Sequence, residues 1–120
     1  MIPALAQEWF WILSLGLTLL IEVGTMLVVR SWGALPGKLV AVGPLILVLV
    51  GLNLATHPLA WQASNAGVPW VLSEASVVLI EAVGLALIVP GLRRWDAAKL
   101  SLWINAASGL FGLGMSVFLN

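Results

Sequence analysis

Three of the five acidic residues lie inside long apolar runs. Glu22 sits in LLIEVGTML and Glu81 in VVLIEAVGLALI, with Glu74 seven residues before it. A carboxyl group in such surroundings suits proton carriage or cation binding, because hydrocarbon penalises its bare charge until a partner joins it. Amide and hydroxyl groups occur in the same kind of setting: Asn53 and Thr56 in LNLATHPLAW, Asn105 and Ser108 in INAASG. His57 is the single histidine. With Glu74 it forms a candidate pair for Zn, Mn or Fe. Alone, its imidazole can ligate the magnesium of a chlorophyll, whereas bis-histidine haem would need a second histidine from a partner chain. No cofactor is required by the sequence. Ser73 or Ser76 with His57 is formally a nucleophile and base, and Glu with His an acid and base. However, H-E-x-x-H, G-x-S-x-G and the Walker loop are absent, and GLFGLG at 109–114 has the spacing of neither glycine-rich phosphate motif. An intramembrane enzyme therefore ranks last among the readings.

The elements that position these groups follow from composition. The chain has 120 residues, 62% hydrophobic and 8% charged, where a soluble domain carries about 25% charged residues. A chain this short cannot hide so much apolar surface from water. It is expected to be a single transmembrane domain over residues 1–120. With no cysteine, disulfides, thiolate metal sites and cysteine nucleophiles are excluded. Zero net charge and the lack of a basic cluster argue against nucleic acid as a partner. The opening MIPALAQEWFWILSL lacks a basic n-region and a small-residue cleavage site, so it is expected to be retained.

Four segments have the roughly 20 apolar residues that a bilayer-spanning helix needs: about 9–29, 38–56, 70–92 and 100–119. The fold class is all-α, a four-helix membrane bundle with short connections, and the sequence shows no strong internal repeat. All five basic residues, Arg30, Lys38, Arg93, Arg94 and Lys99, fall at the first and third connections. The positive-inside rule then places those connections in the cytoplasm and both termini outside. Tryptophan agrees with this orientation: Trp9, Trp11, Trp61 and Trp70 fall at the outer interface, and Trp32, Trp95 and Trp103 at or near the inner one.

The polar residues share helical faces. Ser14, Thr18, Glu22 and Thr25 recur at steps of three and four, as do Ser101, Asn105, Ser108, Gly112 and Ser116, and Glu74 and Glu81 share a face. Lipid satisfies none of these groups, so the stripes are expected to converge on an interior seam. In depth, Asn53, Thr56, His57 and Glu74 are expected in the outer third, Glu81 near the middle, and Glu22 and Asn105 toward the inner half. Such a ladder would have its outer mouth at Thr56-His57-Pro58, where the proline is expected to end the second helix. Asn105 or a hydroxyl is the expected partner of Glu22.

The combination of Glu22 with Arg30, Asn53-Thr56-Pro58-Trp61, Glu74 with Glu81, and Asn105-Ser108 resembles a set of small four-span bacterial inner-membrane proteins. That resemblance covers most of the chain and implies a bacterial cytoplasmic membrane. Two functions follow as expectations. The first is binding or passing a proton or small cation through the seam formed by Glu22, Asn53, Thr56, His57, Glu74, Glu81, Asn105 and Ser108, with self-association into a homo-oligomer. The second is an accessory subunit of a larger respiratory, photosynthetic or secretion complex in the bilayer, in contact with a pigment or lipid.

Overall fold

The structure is a computed structural model that describes the backbone of residues 4–31 and 40–119 and the side chains of 9–31 and 40–114. It contains four helices: α1 (Ala4–Ser31), α2 (Val42–Asn65), α3 (Trp70–Ile88) and α4 (Arg94–Leu119). No strand occurs among the described residues. Each helix packs on two others, in the ring α1–α2–α3–α4–α1, so α1 lies diagonal to α3 and α2 to α4. Connections of a few residues force antiparallel neighbours, and the bundle measures 50 × 22 × 21 Å. The segments Trp9–Ser31, Val42–Asn65 and Trp70–Ile88 are long and apolar enough to cross a membrane. In α4, Arg94, Asp96 and Lys99 crowd the first two turns, and the side chains beyond 114 lie outside the described residues. So do residues 32–39, which hold Trp32, Lys38 and the expected start of the second span.

Two prolines have opposite outcomes. Pro58 was expected to close the second helix, but α2 runs through it to Asn65. Stopping at residue 56 would leave four carbonyls without donors in an apolar medium, whereas an internal proline strips a donor from one. The helix ends where better chemistry exists. Gly67 adopts φ +87°, Val68 N–H donates to Ala63 O at 2.9 Å and Gly67 N–H to Ser64 O at 3.1 Å, which is the Schellman arrangement. Pro90 does end a helix. Val89 takes the extended conformation that a following proline favours, and Gly91 turns the chain at φ +79°. α3 therefore stops at Ile88, short of the expected residue 92. The helix α4 begins at Arg94, before the expected residue 100, with Asp96 in its first turn. An acid there faces the positive end of the helix dipole, and Arg93 Nε pairs with it at 3.1 Å.

The buried apolar core is one-sided. Met26, Val29, Val40, Leu45, Leu49, Leu85, Val89, Leu92, Ala97, Leu100 and Ile104 form one cluster. All lie toward the end that carries the first and third connections, the end of Arg30, Arg93, Arg94 and Lys99. There Arg30 Nη2 donates to Val40 O at 3.3 Å and ties α1 to the approach of α2. The close pairing of α2 and α3 rests on Gly84, where a Cβ would lie 2.6 Å from Leu52 Cδ2. Large apolar side chains elsewhere, such as Leu20, Leu47, Leu79 and Leu87, face outward, as a lipid-immersed helix requires.

Candidate functional site

A layer of polar side chains rests directly on this apolar plug. Glu22 is 1% exposed and Glu81 is fully buried. On one side of the bundle, Asn53 Nδ2 from α2 donates to Glu22 Oε2 and to Leu49 O of its own helix at 3.0 Å. Ser108 Oγ from α4 lies 3.3 Å from both Glu22 Oε1 and Asn105 O of its own helix, so its single proton is shared between the two acceptors. On the other side, Asn105 Nδ2 from α4 donates to Glu81 Oε2 at 2.7 Å and to Ser101 O at 2.9 Å. Ser101 Oγ donates to Val78 O at 2.7 Å and staples α4 to α3. Each asparagine thus uses both amide protons, one on its own helix and one on a carboxyl of the preceding helix. Of the two partners expected for Glu22, the hydroxyl is found, on Ser108, whereas Asn105 serves Glu81 and Asn53 supplies the amide on Glu22.

The two halves of the chain repeat this arrangement, although the sequence carries no strong internal repeat. Leu20-Ile21-Glu22 in α1 matches Leu79-Ile80-Glu81 in α3, and Asn53-Leu54-Ala55-Thr56 in α2 matches Asn105-Ala106-Ala107-Ser108 in α4. The signal was legible as L-I-E followed one helix later by N-x-A-[T/S], but two or three identities per helix do not stand out in apolar sequence. Equivalent helices sit diagonally, as an axis along the bundle requires. Glu22, Asn53, Glu81, Asn105 and Ser108 thus share one layer instead of successive depths, while Glu74 and His57 lie further along α3 and α2. Ser108 and Asn105, which hold Glu22 and Glu81, are a single turn apart on α4.

The halves are unequal in one respect. Thr56 occupies the position equivalent to Ser108, but its hydroxyl donates to Leu52 O at 2.9 Å. Glu81 Oε1 is buried, and no donor among the described residues reaches it. Beside Thr56, between α2 and α3, lies a half-open cavity of about 200 Å³.

The remaining candidates stand apart. Glu74 lies against α4, where a Cβ on Gly109 would be 3.5 Å from its Oε2. His57 faces α1. Its ring centroid is 5.9 Å from that of Trp11, and its Nε2 is buried without a partner among the described residues. The expected His57–Glu74 metal pair is therefore not assembled. His57 shares the Asn53 face of α2 and turns to α1, while Glu74 turns to the helix diagonal to α2. No group of three His, Cys, Asp or Glu side chains suited to a metal occurs among the described residues. Ser76, a formal nucleophile, donates to Leu72 O at 2.8 Å, away from His57. The Thr25 hydroxyl donates to Ile21 O of its own helix at 2.7 Å.

Chemically, the layer presents two carboxyl groups held by neutral donors, and no lysine or arginine is buried with them among the described residues. Charge balance there must come from protons or a bound cation. No family model, no curated protein and no solved structure matches the chain.

Proposed function

We propose that the chain is a membrane protein whose paired carboxyl layer binds a proton or small cation. The observation that carries this reading is the Glu22–Asn53 and Glu81–Asn105 pair of sites, buried without any cationic side chain. The apolar cluster beneath it, from Met26 to Ile104, closes the layer toward the end bearing the first and third connections. The protein therefore acts as an occluding binder. Transfer across the bilayer requires the plug to rearrange, and a continuous water-filled pore is not the working state. The basic residues at that end support a cytoplasmic location for it with both termini outside, and the resemblance to small four-span proteins suggests a bacterial inner membrane.

Full-length protein in liposomes loaded with a pH-sensitive dye tests the reading. Under an imposed potential the wild type is expected to move or take up protons above the rate of empty vesicles, and Glu81→Gln is expected to abolish the difference. Equal rates for wild type, Glu81→Gln and empty vesicles would refute it. A second reading draws on the outward apolar faces of α3, where Val71, Leu72, Leu79, Val83 and Leu87 are uncovered. These faces admit a second copy of the chain or a subunit of a larger complex. Native purification in mild detergent should then recover a stoichiometric partner, and a lone protomer would count against it.

A further inference from the structure

We infer that the outward face of α4, at the end where the helix starts, is a binding surface for an anionic phospholipid, whose headgroup is held by Arg94 and Lys99 beside two indoles. The inference requires only that the helices cross a bilayer, and it is independent of the ion-binding reading above. α3 has the length and hydropathy to cross, so Ile88 brings the chain to one membrane interface and α4 sets out from there at Arg94. Trp95, Lys99 and Trp103 follow at steps of four and share one face of α4. Trp95 is 70% and Trp103 55% exposed, and Lys99 is exposed between them.

The repeat shows that the fold does not demand this face. With Asn53 aligned on Asn105, the equivalent positions of α2 are Gly43, Leu47 and Gly51, all of them exposed as well. An outward face of glycine and leucine meets the needs of contact with acyl chains. Two tryptophans flanking a lysine at the same positions of α4 need a different neighbour.

The charges there are not matched within the chain. The single acid at this end is Asp96, which is buried and pairs with Arg93. Among the described residues neither Arg94 nor Lys99 forms an ion pair. Lys99 stands five residues beyond Arg94, ~7.5 Å deeper along the helix, where hydrocarbon penalises a bare ammonium. Side chains lean toward the start of their helix, so that of Lys99 reaches back past Trp95 to the interface. The Arg94 guanidinium lies over the Trp95 ring, 5.9 Å from its centroid. Two unmatched cations and two indole N–H donors thus gather at the depth of the lipid headgroups. A zwitterionic headgroup brings its own cation to its phosphate, whereas an anionic one leaves negative charge to be matched, so this surface favours the anionic lipid. Leu102, Ala106 and Leu110 continue the exposed face into the bilayer and give its acyl chain a track.

The test uses the full chain in phosphatidylcholine vesicles that contain a low mole fraction of lipid with brominated acyl chains, and it reads quenching of tryptophan fluorescence. The brominated lipid is either phosphatidylglycerol or phosphatidylcholine. Brominated phosphatidylglycerol is expected to quench the wild type with an apparent affinity at least about fivefold above that of brominated phosphatidylcholine. Arg94→Gln combined with Lys99→Gln should bring that ratio to about one, and Lys99→Arg should keep it. Trp95→Phe combined with Trp103→Phe should remove the preferentially quenched component. All four side chains are exposed, so these variants keep the packed core. Equal quenching of the wild type by the two lipids would overturn the inference, as would a preference unchanged by the Arg94→Gln, Lys99→Gln variant. A preference that survives in the Trp95→Phe, Trp103→Phe variant would put the lipid on another face and overturn it too. Proton uptake by the wild type bears on the ion-binding reading alone, so the two stand or fall separately.

Discussion

Replacing Asn105 with leucine should separate the two halves of the polar layer. The substitution removes the donor to Glu81 Oε2 and the bond to Ser101 O. Because Oε1 already lacks a donor, the carboxyl is left buried with neither oxygen engaged. A cross-helix hydrogen bond in a membrane protein contributes about 0.6–2 kcal/mol, and stranding its buried partner adds about 1–3 kcal/mol. Asn105→Leu should therefore cost about 2–4 kcal/mol. The equivalent Asn53→Leu also strands one buried oxygen, Glu22 Oε2, but leaves Ser108 within reach of Oε1, so its cost should be smaller, about 1–3 kcal/mol. Removing both partners removes the stranded group, so Asn105→Leu on a Glu81→Leu background should cost under about 1 kcal/mol. Equilibrium unfolding in mixed micelles, followed by tryptophan fluorescence, measures all three variants and the coupling energy of the cycle. If Asn105→Leu costs the same on both backgrounds, or no more than Asn53→Leu, the assignment of unequal halves is wrong.

Three further outcomes are expected from the same assay. Gly84→Ala should destabilise by about 1–2 kcal/mol, because its Cβ would press on Leu52 Cδ2, and a Leu52→Ala background should relieve most of that cost. Pro58→Ala should stabilise by about 1 kcal/mol or more, by returning an N–H to the carbonyl of Leu54 in a helix that already runs through the position; a loss of stability would show that the proline is itself needed. Arg93→Ala should change stability by less than about 0.5 kcal/mol, because the Arg93 side chain is 76% exposed and its pair with Asp96 spans one turn at the helix start.

The architecture was readable where physics leaves few options. Long apolar runs broken by Gly and Pro specify helices, and α3 begins at Trp70 as the run does. The periodicity of Glu22, Glu81, Asn105 and Ser108 led to an interior seam, since lipid offers these groups no partner. Pairing was not readable, because helical spacing fixes the face of a residue but not its level against a neighbouring helix. Spacing alone therefore leaves Asn105 and a hydroxyl equally eligible for Glu22, and the structure gives it the Ser108 hydroxyl while the Asn105 amide reaches Glu81. The continuation of α2 past Pro58 was missed for a different reason. The local cost of a proline is visible in sequence, but the larger cost of ending a helix in an apolar medium depends on what surrounds it. The one-sided plug was also hidden. Leu49 and Leu47 look alike in sequence, yet the first is buried in the cluster and the second faces outward.

The central claim is that amide side chains of α2 and α4 touch the carboxyl groups of α1 and α3 inside the bilayer. Dipolar-coupling solid-state NMR on the full chain in lipid, with ¹⁵N in the asparagine side chains and ¹³C at the glutamate Cδ, reads that contact directly. Two close N–C pairs are expected, one lost in Asn53→Leu and the other in Asn105→Leu. No short-range coupling between any glutamate carboxyl and any asparagine amide would contradict the account.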